Sequence, residues 1–438
     1  MFDVVICNGI IVSASYDYHP FVGSVGIEGD KISYVGSKKL SHLDGYQCID
    51  ASNMIVMPGL VNGHCHGDMA FAKGVGDELT LEEQMNDFGK LNWFFDDLTE
   101  EDRYYCRLFT YCEALLNGTT LIMENMFWSL PSKTIDAFSK VGIRGAAAED
   151  VRPDFLESDT FHKNENLEKF KQECNASGII PVFGTLPEEA FSDFRLKKVK
   201  KIIDDHDVFY TSHLAETTWR REIVLKNMQT TPVKALSRYG LLSSKYIASH
   251  AVQVDTEEIM LMADAGVKVV STPICEIKIQ DGIAPIPEML EADIVVAVGT
   301  DGAMWNNVND IFRELRCMAL LHNYIHGLGT LSAKTLLDMG TINGAKLFDK
   351  EEELGAIEEG KLADVITVNC LNSRMQPMRL TSDSVLSNLI FCAQGSDVCD
   401  VIVDGKPRVI NKQILDVNFN EIIQYVGNLS KRVLASKK

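Results

Sequence analysis

Eight short apolar segments alternate with longer amphipathic ones along this chain, and few folds accommodate that rhythm. The first is MIVMPGLVNGHCH, and the others are GTTLIME, GIRGAAAED, GIIPVFG, DVFYTSH, YIASHA, VKVVSTP and DIVVAVGTD. Each is short, and most are rich in β-branched residues or bounded by Gly or Asp, which reads as a buried strand. Segments such as TEEDRYYCRLFTYCEALLN and DTEEIMLMADAG separate them and repeat with helical spacing. Eight strands alternating with helices predict an α/β fold, a (β/α)₈ TIM barrel over residues 58–357. Residues 1–57 and 358–438 have a different texture. FDVVICNGIIVSA, GSVGIEGDKISYVG, ADVITVN and CDVIVDGKPRVI alternate apolar and polar residues between Gly-Asp and Asn-Gly turns. They predict a small β-sandwich domain assembled from both terminal segments.

Composition narrows the function. The chain has 438 residues, 46% of them hydrophobic, enough for a large core. Its net charge of −20 repels nucleic-acid phosphates and anionic lipid, so neither is an expected partner. No apolar run reaches bilayer length and no basic, apolar leader opens the sequence. Eleven cysteines without a C-x-x-C spacing read as reduced thiols of a cytoplasmic protein.

In a barrel of this kind, functional residues gather at the C-terminal ends of the strands. Four of the ten histidines fall there: His64 and His66 on the first strand, His213 on the fifth and His250 on the sixth. Asp301 ends the eighth strand, and Glu216 follows His213 by three residues. In a strand His64 and His66 point the same way, roughly 6.6 Å apart. His64, His66, His213 and Asp301 make a donor set suited to one divalent metal, Zn²⁺ or Fe²⁺, with a position left for water. Such an ion lowers the pKa of water to ~7. Glu216 is placed to shuttle protons, His250 to orient the attacking oxygen, and Asp301 to take a proton besides ligating.

These motifs resemble the amidohydrolase superfamily. PGLVNGHCH, HLAET, SHAVQVD and GTDGA match its metal and catalytic motifs in order, and HLAET is similar to the branch that deaminates aromatic N-heterocycles. GVGDELTLEE, DGIAPIPEML, GTDGAMWNNVNDIFRELRCMALLH and GAIEEGKLADVITVN are similar to the methylthioadenosine/S-adenosylhomocysteine deaminases. The resemblance implies metal-hydroxide attack on a ring carbon, with Glu216 protonating a ring nitrogen and ammonia leaving. It places a substrate-binding Glu at Glu83, for ribose hydroxyls. Two stretches depart from the family. GTLPEEA puts Leu186 where a substrate-contacting His is expected, and STPICEIK brings Cys275 and Glu276 after the seventh strand. Glu188 or Glu276 could hydrogen-bond a heterocycle edge, against the plainer reading of surface carboxylates. IIPVFGTLP lacks the bridging Lys of binuclear relatives, which implies a single metal. Trp305 lies four residues past Asp301 and is the expected stacking face, with Trp93 and Trp128 assigned to packing. HNYIH places His322 and His326 one helical turn apart but lacks a third ligand, so it is read as ordinary helix.

The sequence thus predicts a metal-dependent aminohydrolase acting on a small heterocycle, most simply an adenosine derivative, in a chain that could form a homo-oligomer. Two alternatives keep the same metal centre: deamination of a pterin, guanine or other oxopurine, and triazine-type hydrolysis with another leaving group. A catalytically dead binding protein is disfavoured because all six metal and proton-shuttle positions are intact.

Overall fold

A computed structural model describes residues 1–85, 98–126, 130–150 and 164–435. Trp93 and Trp128 lie outside the described residues. The N-terminal segment supplies strands β1 (Phe2–Ile11), β2 (Phe21–Glu28), β3 (Lys31–Gly36), β4 (Gly45–Asp50) and β5 (Met54–Pro58). The barrel follows with β6 (Leu60–His66), β7 (Thr119–Asn125), β8 (Arg144–Asp150), β9 (Ile180–Gly184) and β10 (Phe209–Leu214). It is completed by β11 (Tyr246–His250), β12 (Lys268–Ser271), β13 (Val295–Val298) and β14 (Asp301–Gly302). The C-terminal segment adds β15 (Val365–Asn369), β16 (Val398–Val403), β17 (Lys406–Ile410) and β18 (Gln413–Ile414).

Strands β6 to β13 pair in parallel, each with its neighbour in sequence. The eighth barrel strand comes in two pieces. Val295–Val298 pairs with β12, the chain steps sideways at Gly299 and Thr300, and Asp301 and Gly302 pair with Cys65 and His66 of β6. That step closes the barrel and sets Asp301 beside the paired histidines. The Thr300 amide donates to the His64 carbonyl at 3.0 Å, and the Asn62 amide donates to Thr300 Oγ1 at 2.7 Å. A side chain at Gly299 would stand 2.7 Å from the His64 backbone nitrogen, so only glycine permits the approach.

Inward-facing Leu121, Val182, Ile247, Val270 and Ala297 fill the barrel below the site, and Leu347 and Phe348 pack onto them. The packed interior leaves only the strand ends for chemistry.

The apolar run 54–66 is not one strand. Pro58 and Gly59 divide it between two sheets: β5 pairs with β15 in the terminal sheet, while β6 pairs with β7 in the barrel. The terminal strands form one connected, mixed nine-stranded ladder. Val4, Val25, Ile32, Val56 and Ile402 from across it share a single apolar cluster.

The C-terminal segment differs from the all-β expectation. It includes helices Ser382–Phe391 and Phe419–Ala435. Ile422, Val426, Leu429 and Val433 are buried at helical, not alternating, spacing. The last helix packs on the barrel helix Glu100–Leu116, with Tyr425 stacked on Tyr105 at 3.9 Å between ring centroids. Tyr425 Oη and Arg432 Nη2 both donate to Asp102, at 2.9 and 2.7 Å.

Candidate metal centre and active site

The structure brings His64, His66, His213, His250 and Asp301 together at the barrel mouth. Donor atoms of His64, His213 and His250 lie within 4.8 Å of one another, as do those of His64, His66 and Asp301. His64 Nε2 and His66 Nε2 each stand 3.6 Å from Asp301 Oδ1. A register shift in β6 between Asn62 and Cys65 changes which face the side chains take. Both histidines therefore turn into the barrel, while Cys65 is buried in the outer core. Part of the backbone here is strained. Ala215, His250, Ala251 and Asp301 all hold positive φ, at +46°, +73°, +51° and +61°. Such non-glycine conformations cost about 1–3 kcal/mol each and gather at functional sites.

Buried partners fix the imidazoles. His66 Nδ1 donates to the Asn125 carbonyl at 2.7 Å, which turns the Nε2 lone pair toward the centre. His64 Nδ1 lies 2.8 Å from the Ser249 hydroxyl and 3.0 Å from the Asn125 side-chain amide. Its Nε2 is buried and has no hydrogen-bond partner among the described residues. Burial pushes His64 below the ordinary imidazole range and His66 down to about 4. Burial, followed by the neighbouring imidazoles, pushes His213 well below that range. Burial opposes ionisation of Asp301, but the surrounding histidines hold its carboxyl well below the usual carboxylate range. Three neutral imidazoles and one carboxylate, with an orphaned Nε2 among them, fit a divalent ion.

His250 stands behind this group. Its Nε2 is 3.7 Å from Glu216 Oε1 and 4.0 Å from Asp301 Oδ2, and its Nδ1 is 3.0 Å from Thr272 Oγ1. Burial works against its charge, yet Glu216, Glu276 and Asp301 raise it to about 9. Cys275 Sγ donates to Asp301 Oδ2 at 3.0 Å.

A cavity opens over the cluster. His66, His213, Glu216 and Asp301 form its floor, and Leu81, Met85, Met126, Ala148 and Pro187 give it apolar walls. Trp305 also lines it, anchored by Nε1 donating to Gln84 Oε1 at 2.8 Å.

Two expected substrate contacts fall elsewhere. Glu83 is exposed and does not line the cavity. Its carboxylate accepts from the Thr80 amide and hydroxyl at 2.8 and 2.9 Å, capping the helical turn that follows, whose Leu81 and Met85 line the cavity instead. Glu276 is buried behind His250 rather than in the wall. It accepts from the Thr272 amide at 2.7 Å and so caps its own helix, Pro273–Lys278. Leu186 is likewise turned into the core, and Thr185 and Pro187 face the cavity. Glu188 is buried, not on the surface, and accepts from the Ala215 amide at 2.6 Å. Asn125, Gln84, Thr272 and Arg220 were not legible as site residues. Asn125, at the end of the second barrel strand, carried the one available signal.

Residues 55–408 match the model of the amidohydrolase family. The chain belongs to that family. This amidohydrolase, a hydrolase acting on C–N bonds, is 32% identical to a 5-methylthioadenosine/S-adenosylhomocysteine deaminase of Moorella thermoacetica, over 92% of this chain and 94% of the relative. It is also 32% identical to a 5′-deoxyadenosine deaminase of Methanosphaera stadtmanae, over 88% and 90% of the two chains. Among solved structures it resembles a zinc-bound adenosine deaminase from Xanthomonas campestris. The TM-score is 0.89 at 24% identity, with 99% of each chain covered. A zinc-complexed atrazine chlorohydrolase from Arthrobacter aurescens gives 0.83 at 23% identity, covering 98% of this chain and 100% of the other. Among the described residues, no helix is long and apolar enough to cross a membrane.

Proposed function

We propose that this amidohydrolase is a metal-dependent deaminase of amino-substituted N-heterocycles, with an adenosine derivative of the methylthioadenosine, S-adenosylhomocysteine or 5′-deoxyadenosine type as substrate. The observation that carries this reading is the convergence of His64, His66, His213 and Asp301 beneath a cavity into which Glu216 also opens. Those four residues would hold one divalent ion, Zn²⁺ or Fe²⁺. Such an ion supplies the Lewis acidity that makes water a nucleophile at neutral pH.

The chain's own groups manage protons and orientation. Glu216, with Oε1 toward His250, takes a proton and delivers it to the ring nitrogen beside the reacting carbon. His250, fixed through Thr272 Oγ1, orients the incoming oxygen and stabilises the charge that develops on it. Asp301 takes the second proton and passes it to the departing amino group, which leaves as ammonia. Trp305 and the apolar walls seat a flat ring and exclude water. The named activities of the curated relatives support the adenosine-type substrate.

The apolar walls and the fold shared with an atrazine chlorohydrolase support a second reading, triazine-type hydrolysis. Incubation of zinc-loaded protein with methylthioadenosine separates the two. Conversion of the adenine ring to hypoxanthine with stoichiometric ammonia supports the first. Release of chloride or alkylamine from a triazine, with methylthioadenosine untouched, supports the second.

A further inference from the structure

Arg220 is the only Lys or Arg among the described residues that line the cavity. Thr217 caps the helix Thr218–Met228 by accepting from the Arg220 amide at 3.0 Å, so the helix starts directly after Glu216. One turn along, Arg220 returns to the same side as Glu216. Its Nη1 donates to Glu216 Oε2, and its Nε donates to Glu189 Oε1 at 2.9 Å. The residue is 7% exposed, and among the described residues Nη2 has no acceptor. A desolvated guanidinium with an unsatisfied donor is costly unless something else takes the bond. The neighbouring wall offers nothing comparable, because Leu186 is turned away and the strand end presents Thr185 and Pro187.

We propose that Arg220 is a substrate-binding residue whose Nη2–H donates to an electron-pair acceptor of the heterocycle, a ring nitrogen or an oxo oxygen, on the edge that Glu216 also contacts. The proposal rests on the deaminase reading for the role of Glu216. Anchoring by two carboxylates holds the fork in place before substrate arrives, so little ordering remains to be done on binding. A ring lacking that acceptor leaves the guanidinium unpaired and is rejected by roughly 10- to 100-fold. Specificity here comes from a helix residue rather than from the strand ends.

The test measures dissociation constants of the zinc-loaded protein for product-type ligands, which do not turn over. The ligands are 5′-methylthioinosine with its 3-deaza and 7-deaza forms, and xanthine against hypoxanthine. Wild type, Arg220→Met and Arg220→Lys are compared. The expected result is a loss of about 10- to 100-fold for one ligand lacking an acceptor, abolished in Arg220→Met and reduced in Arg220→Lys. If Arg220→Met fails to fold, Arg220→Lys, which keeps the charge, decides. Equal affinities within every pair, absence of binding to all of them, or the same discrimination in wild type and variants would overturn the proposal. Ammonia release by wild type is scored separately. Discrimination without ammonia retires the deaminase reading and keeps the Arg220 contact; ammonia without discrimination does the reverse.

Discussion

His66 Nε2 and His213 Nε2 lie 3.3 Å apart although 147 positions separate them in sequence. With the His66 Nδ1 proton given to the Asn125 carbonyl, the Nε2 lone pair of His66 faces its partner. A cation is the natural tenant of such a pair. Replacing His66 or His213 with Ala is therefore expected to weaken zinc binding by at least ~100-fold. Asn125→Ala, which removes the side-chain amide at His64 Nδ1 but keeps the backbone carbonyl that holds His66, should weaken it by about 10- to 100-fold. Competition against a chromogenic chelator measures both, and unchanged affinity in either variant contradicts the assignment.

Glu216 opens into the cavity and is no part of the proposed ligand set. Glu216→Gln should keep its zinc and lose about 10²- to 10⁴-fold in kcat. Metal analysis and initial rates on the same preparation check this. A zinc-replete Gln variant with wild-type turnover would remove Glu216 from the chemistry.

Glu314 offers a test of the core away from the site. Burial pushes its carboxyl up to about 8 from an ordinary 4.5, while its oxygens accept from the Ile274 amide at 3.1 Å and the Asn306 amide at 2.5 Å. Between about pH 5 and 8 the folded state therefore keeps a proton that the unfolded state has already released, and stability falls as pH rises through that window. The slope from this group approaches 1.4 kcal/mol per pH unit. Glu314→Gln should flatten the decline in denaturation midpoint over that window. A profile parallel to wild type would refute the shift.

Much of this architecture is written locally. The eight apolar segments become barrel strands because period and β-branching are local properties. His64, His66, His213, His250 and Asp301 were legible because strand ends in a barrel must converge. Features that depend on distant partners were not legible. The β6 register shift that turns both histidines inward is visible only against β7. Glu83 and Glu276 have the right chemistry for substrate, but each satisfies a nearby helix terminus first. Arg220 carries no signal of its own in the sequence, because its partner Glu189 comes from the loop after the preceding barrel strand.

The junction between the sheets gives a structural prediction. A Cβ on Gly59 would meet Thr120 Oγ1 at 2.1 Å. Gly59→Ala should destabilise the protein by about 1–3 kcal/mol. Gly59→Ala combined with Thr120→Ser, which removes a methyl but keeps the hydroxyl, should recover only part of that loss. Chemical denaturation measures both, and a neutral Gly59→Ala would mean that the two sheets are not so tightly apposed.

The most direct test of the central claim is metal content measured together with ammonia release, on protein stripped by chelation and then titrated with zinc. Methylthioadenosine, S-adenosylhomocysteine, 5′-deoxyadenosine, adenosine, guanine, a pterin and an aminotriazine form the substrate panel. The expected result is a silent stripped protein whose activity on an adenosine derivative rises linearly to one zinc per chain, with no response in His66→Ala. Activity indifferent to chelation, or a plateau at one zinc per chain with no ammonia from any adenosine derivative, would contradict it.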